Sequence, residues 1–175
     1  MRIEIHEAGS EAFCREAVHV IGQHRRLLKK PEAKLKNQAK GFKMSIILCA
    51  VLLALNVAMS VAWGWDTLSW VAVALMAVLI LLNAAFLIQY RRMVRGMMAH
   101  TEPAVLTVDE EGVELQRGDQ CYRLGWTSIA FARVFEKSLC FVPRDTVGIL
   151  IAVDRRYASQ VLEEMRHCAP DVKIY

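Results

Sequence analysis

One stretch limits what this chain can fold into more than any other: from Met44 to Tyr90 the only charged side chain is Asp66. A run of that length with one charge cannot form the surface of a water-soluble domain. Met44 to Trp63 and Leu68 to Tyr90 each supply the ~20 apolar residues that a helix needs to cross roughly 30 Å of hydrocarbon. Neither run has a polar face at helical spacing, as a helix lying on a soluble core would. Gly64-Trp65-Asp66-Thr67 stands between them as a turn, so the expectation is a two-helix transmembrane hairpin over 44–90. The first run begins only after 43 residues, too far along for the apolar region of a cleaved signal peptide.

Charge on either side of the hairpin sets its expected orientation. Arg25, Arg26, Lys29, Lys30, Lys34, Lys36, Lys40 and Lys43 precede the first span, Arg91, Arg92 and Arg95 follow the second, and the connecting loop has no basic residue. Basic residues stay on the cytoplasmic side, so both termini are expected there, with Trp63, Trp65 and Trp70 at the outer interface and Phe42 and Tyr90 at the inner one. Within the spans the strongly polar side chains are Asn56 and Asn83. At 1.5 Å per residue they differ in depth by roughly 10 Å, so they are not expected to meet inside one hairpin. Each has two candidate partners, nearby backbone or its own copy in another chain, and the latter makes them candidate inter-helix contacts. No Asp, Glu, Lys, Arg or His lies within either span, which argues against ion conduction or proton-coupled transport.

The first 43 residues read as a strand and a basic amphipathic helix. Arg2-Ile3-Glu4-Ile5-His6 alternates apolar and polar residues, and Ser10 followed by Glu11 reads as a helix start. Phe13, Ala17, Ile21 and Leu28 recur at near-helical spacing, and Pro31 interrupts the pattern. The basic residues Arg25, Arg26, Lys29 and Lys30 serve as a topology signal or as a contact for anionic headgroups, worth on the order of 1 kcal/mol for each charge near the surface. No aromatic platform or motif for nucleic acid accompanies them.

After His100 the pattern becomes short strands: Val105 to Val108, Val113 to Gln116, Gln120 to Trp126, Ile129 to Phe135, Leu139 to Val142 and Val147 to Val153. Turn residues separate them, as in Asp109-Glu110-Glu111-Gly112 and Arg117-Gly118-Asp119. Asp154 reads as the cap of a last helix with Tyr157, Val161, Met165 and Cys168 on one face. The expected fold is a membrane α-helical hairpin plus an α+β cytoplasmic domain over 91–175, in which a small antiparallel sheet or barrel is closed by a C-terminal helix. A domain of that size needs more core, so the N-terminal strand and helix, or a second subunit, are expected to pack against it.

Leu106-Thr107-Val108-Asp109-Glu110-Glu111-Gly112-Val113, Leu124-Gly125-Trp126-Thr127-Ser128-Ile129 and the segment from Ile149 to Tyr157 resemble the bacterial YcxB-like family. The resemblance implies a membrane hairpin in the bacterial inner membrane and a C-terminal domain like a small pleckstrin-homology fold. It implies no catalytic residue and no activity.

Chemistry is hard to place on these residues. Phosphoinositide binding in the first hairpin needs basic residues, whereas Asp109, Glu110 and Glu111 stand there, and adjacent exposed acids in a turn are expected to remain ordinary solvated carboxylates. The cysteines Cys14, Cys49, Cys121, Cys140 and Cys168 contain no C-x-x-C pair, so neither a disulfide framework nor a metal site is expected. Cys121 and Cys140 are expected to pack as small apolar strand residues. There is no phosphate-binding glycine loop and no G-x-S-x-G. No catalytic residue, cofactor or metal is therefore assigned. The leading expectation is a non-enzymatic membrane protein that presents its cytoplasmic module to a protein partner or to its own copies. The alternatives are an anionic-lipid-responsive sensor that uses Arg25, Arg26, Lys29 and Lys30 and a membrane-bound hydrolase or thiol enzyme.

Overall fold

A computed structural model of the chain describes residues 1–5, 10–99, 103–145 and 150–175. They form two compact units, one of Lys36–Met93 and one that joins Met1–Leu35 to Val94–Tyr175. The N-terminal strand and helices thus belong to the same unit as the C-terminal strands.

The first unit is built on helices α3 (Gln38–Trp63) and α4 (Thr67–Ala99), both long and apolar enough to cross a membrane. Asn37 caps α3 by accepting a hydrogen bond from the Lys40 N–H at 3.0 Å, and Asp66 does the same for α4 through the Ser69 N–H at 2.7 Å. Gly64 ends α3 at φ +95°, a left-handed conformation that side-chain-bearing residues rarely adopt. Trp65 and Trp70 stack at 4.6 Å beside this turn, and Phe42 and Phe86 stack at 5.7 Å near the other end. Helix α4 continues nine residues past Tyr90, so Arg91, Arg92 and Arg95 are helical.

The second unit contains β1 (Arg2–Ile5), α1 (Glu11–Gly22), α2 (His24–Lys29), β2 (Ala104–Val108), β3 (Gly112–Arg117), β4 (Gln120–Gly125), β5 (Ile129–Val134), β6 (Ser138–Pro143), β7 (Ile151–Asp154) and α5 (Ala158–Cys168). All paired strands are antiparallel, in a sheet ordered β1-β2-β3-β4 and a second ordered β5-β6-β7. The two sheets do not join, so the barrel alternative gives way to an open two-sheet arrangement among the described residues. A short helical turn at Trp126–Ser128 separates β4 from β5 and carries the chain from one sheet to the other. The expected start of the last strand, at residues 147–149, lies outside the described residues; its remainder is β7.

Alternation explains β2, where Ala104, Leu106 and Val108 are buried and Val105 and Thr107 half-exposed. Strand β6 is different, because all six of its residues are buried. Leu139 and Phe141 join the core of Leu106, Val113, Ile151, Val161 and Met165, whereas Cys140 and Val142 join a second cluster with Val20, Leu27, Phe131 and Phe135. The strand is thus covered on both faces, which is why its sequence is a continuous apolar run rather than an alternation. At the β2–β3 turn Gly112 has no room for a side chain: a Cβ there would lie 2.2 Å from the Leu124 carbonyl oxygen.

Ser10 caps α1 by accepting the Phe13 N–H at 3.2 Å. The buried face of the N-terminal helices is Cys14, Ala17, Val18, Val20 and Leu27; the expected Phe13, Ile21 and Leu28 are only half-buried. A break at Gln23 (φ −114°, ψ 13°), directly after Gly22, ends α1 and starts α2, so a single helical periodicity does not run from Phe13 to Leu28. Asp154, expected to cap the last helix, accepts the Arg156 N–H at 3.1 Å and starts the turn Arg155–Tyr157 that leads into α5. Val161 and Met165 of α5 are buried, and Tyr157 and Cys168 are half-buried.

Candidate functional site

The basic residues expected to meet lipid stand on a fixed support. In α2, His24 and Leu27 point inward and are buried, and Arg25, Arg26 and Lys29 point outward with Lys30 at the C-terminal cap, all four exposed. Leu27 sits in the cluster above β5 and β6. His24 Nε2 lies 2.7 Å from the Pro143 carbonyl oxygen, and because a carbonyl only accepts, Nε2 carries the proton. Beyond α2, Arg133 of β5 donates from Nη1 to the carbonyls of Pro31 and Ala33 and from Nη2 to that of Glu32, at 2.9 Å for Ala33 and 3.4 Å for Glu32. Its guanidinium also lies 4.6 Å from the centre of the Phe135 ring. At the start of the same layer, Glu16 of α1 accepts the Lys137 N–H at 3.0 Å and the Ser138 hydroxyl at 2.6 Å.

Each of these contacts fixes the underside of α2 or its neighbours and leaves its outer face open. Arg26 donates to the Gln23 side chain at 3.1 Å, and Arg25, Lys29 and Lys30 have no carboxylate partner among the described residues. Arg25, Arg26, Lys29 and Lys30 thus form one exposed basic patch. Arg133 and Glu16 were not singled out from the sequence, because nothing local distinguishes an anchoring Arg or Glu from a solvated one on the polar side of a strand or helix.

The acidic turn is occupied by structural work. Asp109 Oδ1 accepts the N–H groups of Glu111 and Gly112, both at 2.9 Å. Arg123 of β4 lies 3.3 Å from Asp109, 2.7 Å from Glu111 and 3.8 Å from Glu114. The backbone hydrogen bond from Glu111, opposed by desolvation and reinforced by Gly112 and Arg123, holds the Asp109 carboxyl below its ordinary pKa. Trp126 Nε1 donates to the Asp109 carbonyl at 2.9 Å and its ring meets Phe141 edge-on at 6.4 Å, so the turn is latched to the core.

The thiols differ from expectation at one position. Cys140 is buried, and burial pushes its pKa up to about 12. Cys121, expected to be an apolar strand residue, is exposed. It alternates with inward Leu124 and shares the outer face of the sheet with Arg123 and the paired Gln116, so the strand's parity sends it to solvent. Its pKa is raised, first by desolvation and then by Glu114. The thiols of Cys14 and Cys168 are raised as well, desolvation leading in both. A nucleophilic cysteine needs the opposite shift. Among the described residues no three His, Cys, Asp or Glu side chains are grouped to hold a metal ion.

In the hairpin, Asn83 Nδ2 donates to the Leu79 carbonyl at 2.8 Å, a bond within its own helix. Asn56 Oδ1 is shielded from solvent without a hydrogen-bond partner, one turn from the buried Ser60, whose hydroxyl donates to the Asn56 carbonyl at 2.9 Å. The two asparagines are not brought together. The chain matches no protein-family model, no curated protein and no solved structure.

Proposed function

We propose that this chain is a non-enzymatic integral membrane protein that presents its α+β unit to a protein partner. In this reading the hairpin spans a bacterial inner membrane, both termini are cytoplasmic, and the unit is a small open variant of the pleckstrin-homology-like domain that the YcxB-like resemblance implies. The observation that carries it is the outer edge of the four-stranded sheet. Strand β4 is paired on one side by β3, so its other side offers backbone donors and acceptors to an incoming strand. The same strand exposes Tyr122, at 41%, and tyrosine is a side chain that protein interfaces favour. Upward-shifted thiols support the non-catalytic part.

The test is purification of the full chain from its native membrane in mild detergent, beside variants Tyr122→Arg and Cys121→Pro. A stoichiometric protein companion that both variants lose, while the distant surface change Asp171→Asn keeps it, supports the reading. Absence of any companion, or one indifferent to β4, sinks it.

A second reading has its own observation, the open cations of α2. Here the chain senses anionic lipid. Reversing Arg25, Arg26, Lys29 and Lys30 to Glu should release the full chain, in nanodiscs of neutral lipid, from anionic vesicles, and 0.5 M salt should have the same effect on the parent. Binding that survives both changes would exclude it.

A further inference from the structure

Strand β5 is paired along one edge by β6 and along the other by residues 173–175. This second pairing is parallel. The Ala132 N–H donates to the Lys173 carbonyl at 2.9 Å, the Tyr175 N–H to the Ala132 carbonyl at 3.0 Å, and the Val134 N–H to the Tyr175 carbonyl at 2.9 Å. Val172 and Ile174 pack against the main core, and the Tyr175 ring meets Phe131 edge-on at 5.4 Å. No side chain of residues 171–175 makes a hydrogen bond or ion pair among the described residues. Backbone pairing and alternating apolar contacts therefore hold the segment, and an extended chain of the same alternation meets the edge on the same terms. One turn at Pro170 joins it to α5, closed by the Val172 N–H on the Ala169 carbonyl at 3.2 Å.

In the direction that residues 173–175 run, β5 continues to Val134, and a groove of about 630 Å³ lies there, lined by Val134, Arg155, Ala158 and Leu162 beside Ile174 and Tyr175. Its volume is within the ~300–1,000 Å³ of ligand-binding clefts. Arg155 is exposed, donates from Nη1 to the Phe135 carbonyl, and has no carboxylate within ion-pair distance among the described residues. We propose that the β5 edge docks an extended segment of a partner protein in place of residues 173–175, and that this segment carries an acidic side chain directly after its aromatic residue. Residues 173–175 show which backbone groups and which alternation the edge accepts. Side chains alternate along a strand, so the residue after the aromatic one shares the side of Ile174, where Ala158 and Leu162 of α5 and the cation of Arg155 line the groove. The residue after that has the Val134 carbonyl as its acceptor, because a parallel ladder advances two residues at a time. Residues 173–175 guard the edge: tethered beside it, they compete at an effective concentration in the mM range, and the partner's additional contacts offset that advantage. The site is separate from the β4 edge, and neither depends on the other.

The experiment titrates the chain in detergent micelles against the fluorescein-labelled peptide Asp-Val-Lys-Ile-Tyr-Glu-Ala-amide and follows anisotropy, with empty micelles subtracted. Shortening the chain to end at Pro170 should tighten binding by roughly tenfold or more, because the tethered competitor is gone. Exchanging the peptide's Glu for Gln should weaken binding to the shortened chain by roughly threefold, and Arg155→Gln should remove that preference. Methylating the peptide's tyrosine nitrogen removes the N–H that the Ala132 carbonyl accepts and should abolish binding. If the shortened chain does not fold, Tyr175→Gly, which loses the ring contact with Phe131, takes its place and should bind more tightly than the parent. Absence of saturable binding by the opened chain, equal affinity for parent and opened chain, binding that survives N-methylation, or a Glu preference that survives Arg155→Gln overturns the proposal.

Discussion

The hairpin and the α+β unit use the same apolar side chains in opposite ways. Leu81 of α4 is 69% exposed and Leu106 of β2 is wholly buried, yet each is where its surroundings favour it. In the α+β unit the solvent is water and leucine is driven inward at roughly 25 cal/mol per Å² of apolar area. In the hairpin the outward leucines suit hydrocarbon, where no such drive exists between helices and association rests on packing and polar contacts. Reversing the rule in either unit should therefore fail in a different assay.

The largest effect is expected at Phe141, which lies in the core of the α+β unit against Trp126. Phe141→Ala should cost about 3–5 kcal/mol, read as a lower denaturant midpoint for the unit, whereas Leu81→Ala should leave that midpoint unchanged. Equal losses would mean that the outward hairpin residues are packed against protein. Next comes Leu81→Arg, which places a charge near the middle of α4 at a cost of about 2.5–3.5 kcal/mol on insertion scales. The fraction of chain integrated into membranes should fall, and unaltered integration would argue against α4 as a span. Smaller again, Arg133→Ala removes the bonds to the Pro31 and Ala33 carbonyls and should cost about 1–3 kcal/mol. Amide exchange over residues 30–35 should accelerate while that of α5 does not, and the solvated change Lys30→Ala should stay within about 0.5 kcal/mol of the parent.

The same contrast explains what the sequence disclosed. The hairpin was legible because bilayer thickness converts directly into the length of an apolar run, as in Met44 to Trp63. Strands β2 to β6 were legible to within one residue at each end, because turn residues such as Asp109 and Gly118 punctuate them. Which face of α1 and α2 is buried was not, since one helical periodicity was carried from Phe13 to Leu28 across the break that Gly22 and Gln23 introduce. Nor was the separation of the two sheets, which depends on how the chain leaves β4 at Trp126. The outward turn of Cys121 needed knowledge of the strand's parity against the core, and the role of Arg133 depends on the carbonyls of Pro31 and Ala33, 102 and 100 residues away along the chain.

Cys140 supplies the subtlest test, because the core of the α+β unit keeps its thiol from ionising. Burial raises its pKa from 9.0 to about 12, with the Ser138 hydroxyl opposing at 3.3 Å. The folded state therefore holds the thiol proton more tightly than the unfolded chain does. Its contribution to stability is fully present below about pH 9 and is lost as pH rises toward about 12. Denaturant midpoints measured between pH 8 and 11 should fall for the parent, and fall less steeply for Cys140→Ala, whatever that change does at neutral pH. Exposed Cys121 provides the kinetic counterpart: iodoacetamide should modify it in the native protein while Cys140 stays protected until the unit unfolds. Parallel pH slopes for parent and variant, with both thiols modified at the same rate, would mean that β6 is not covered on its second face by α1 and α2.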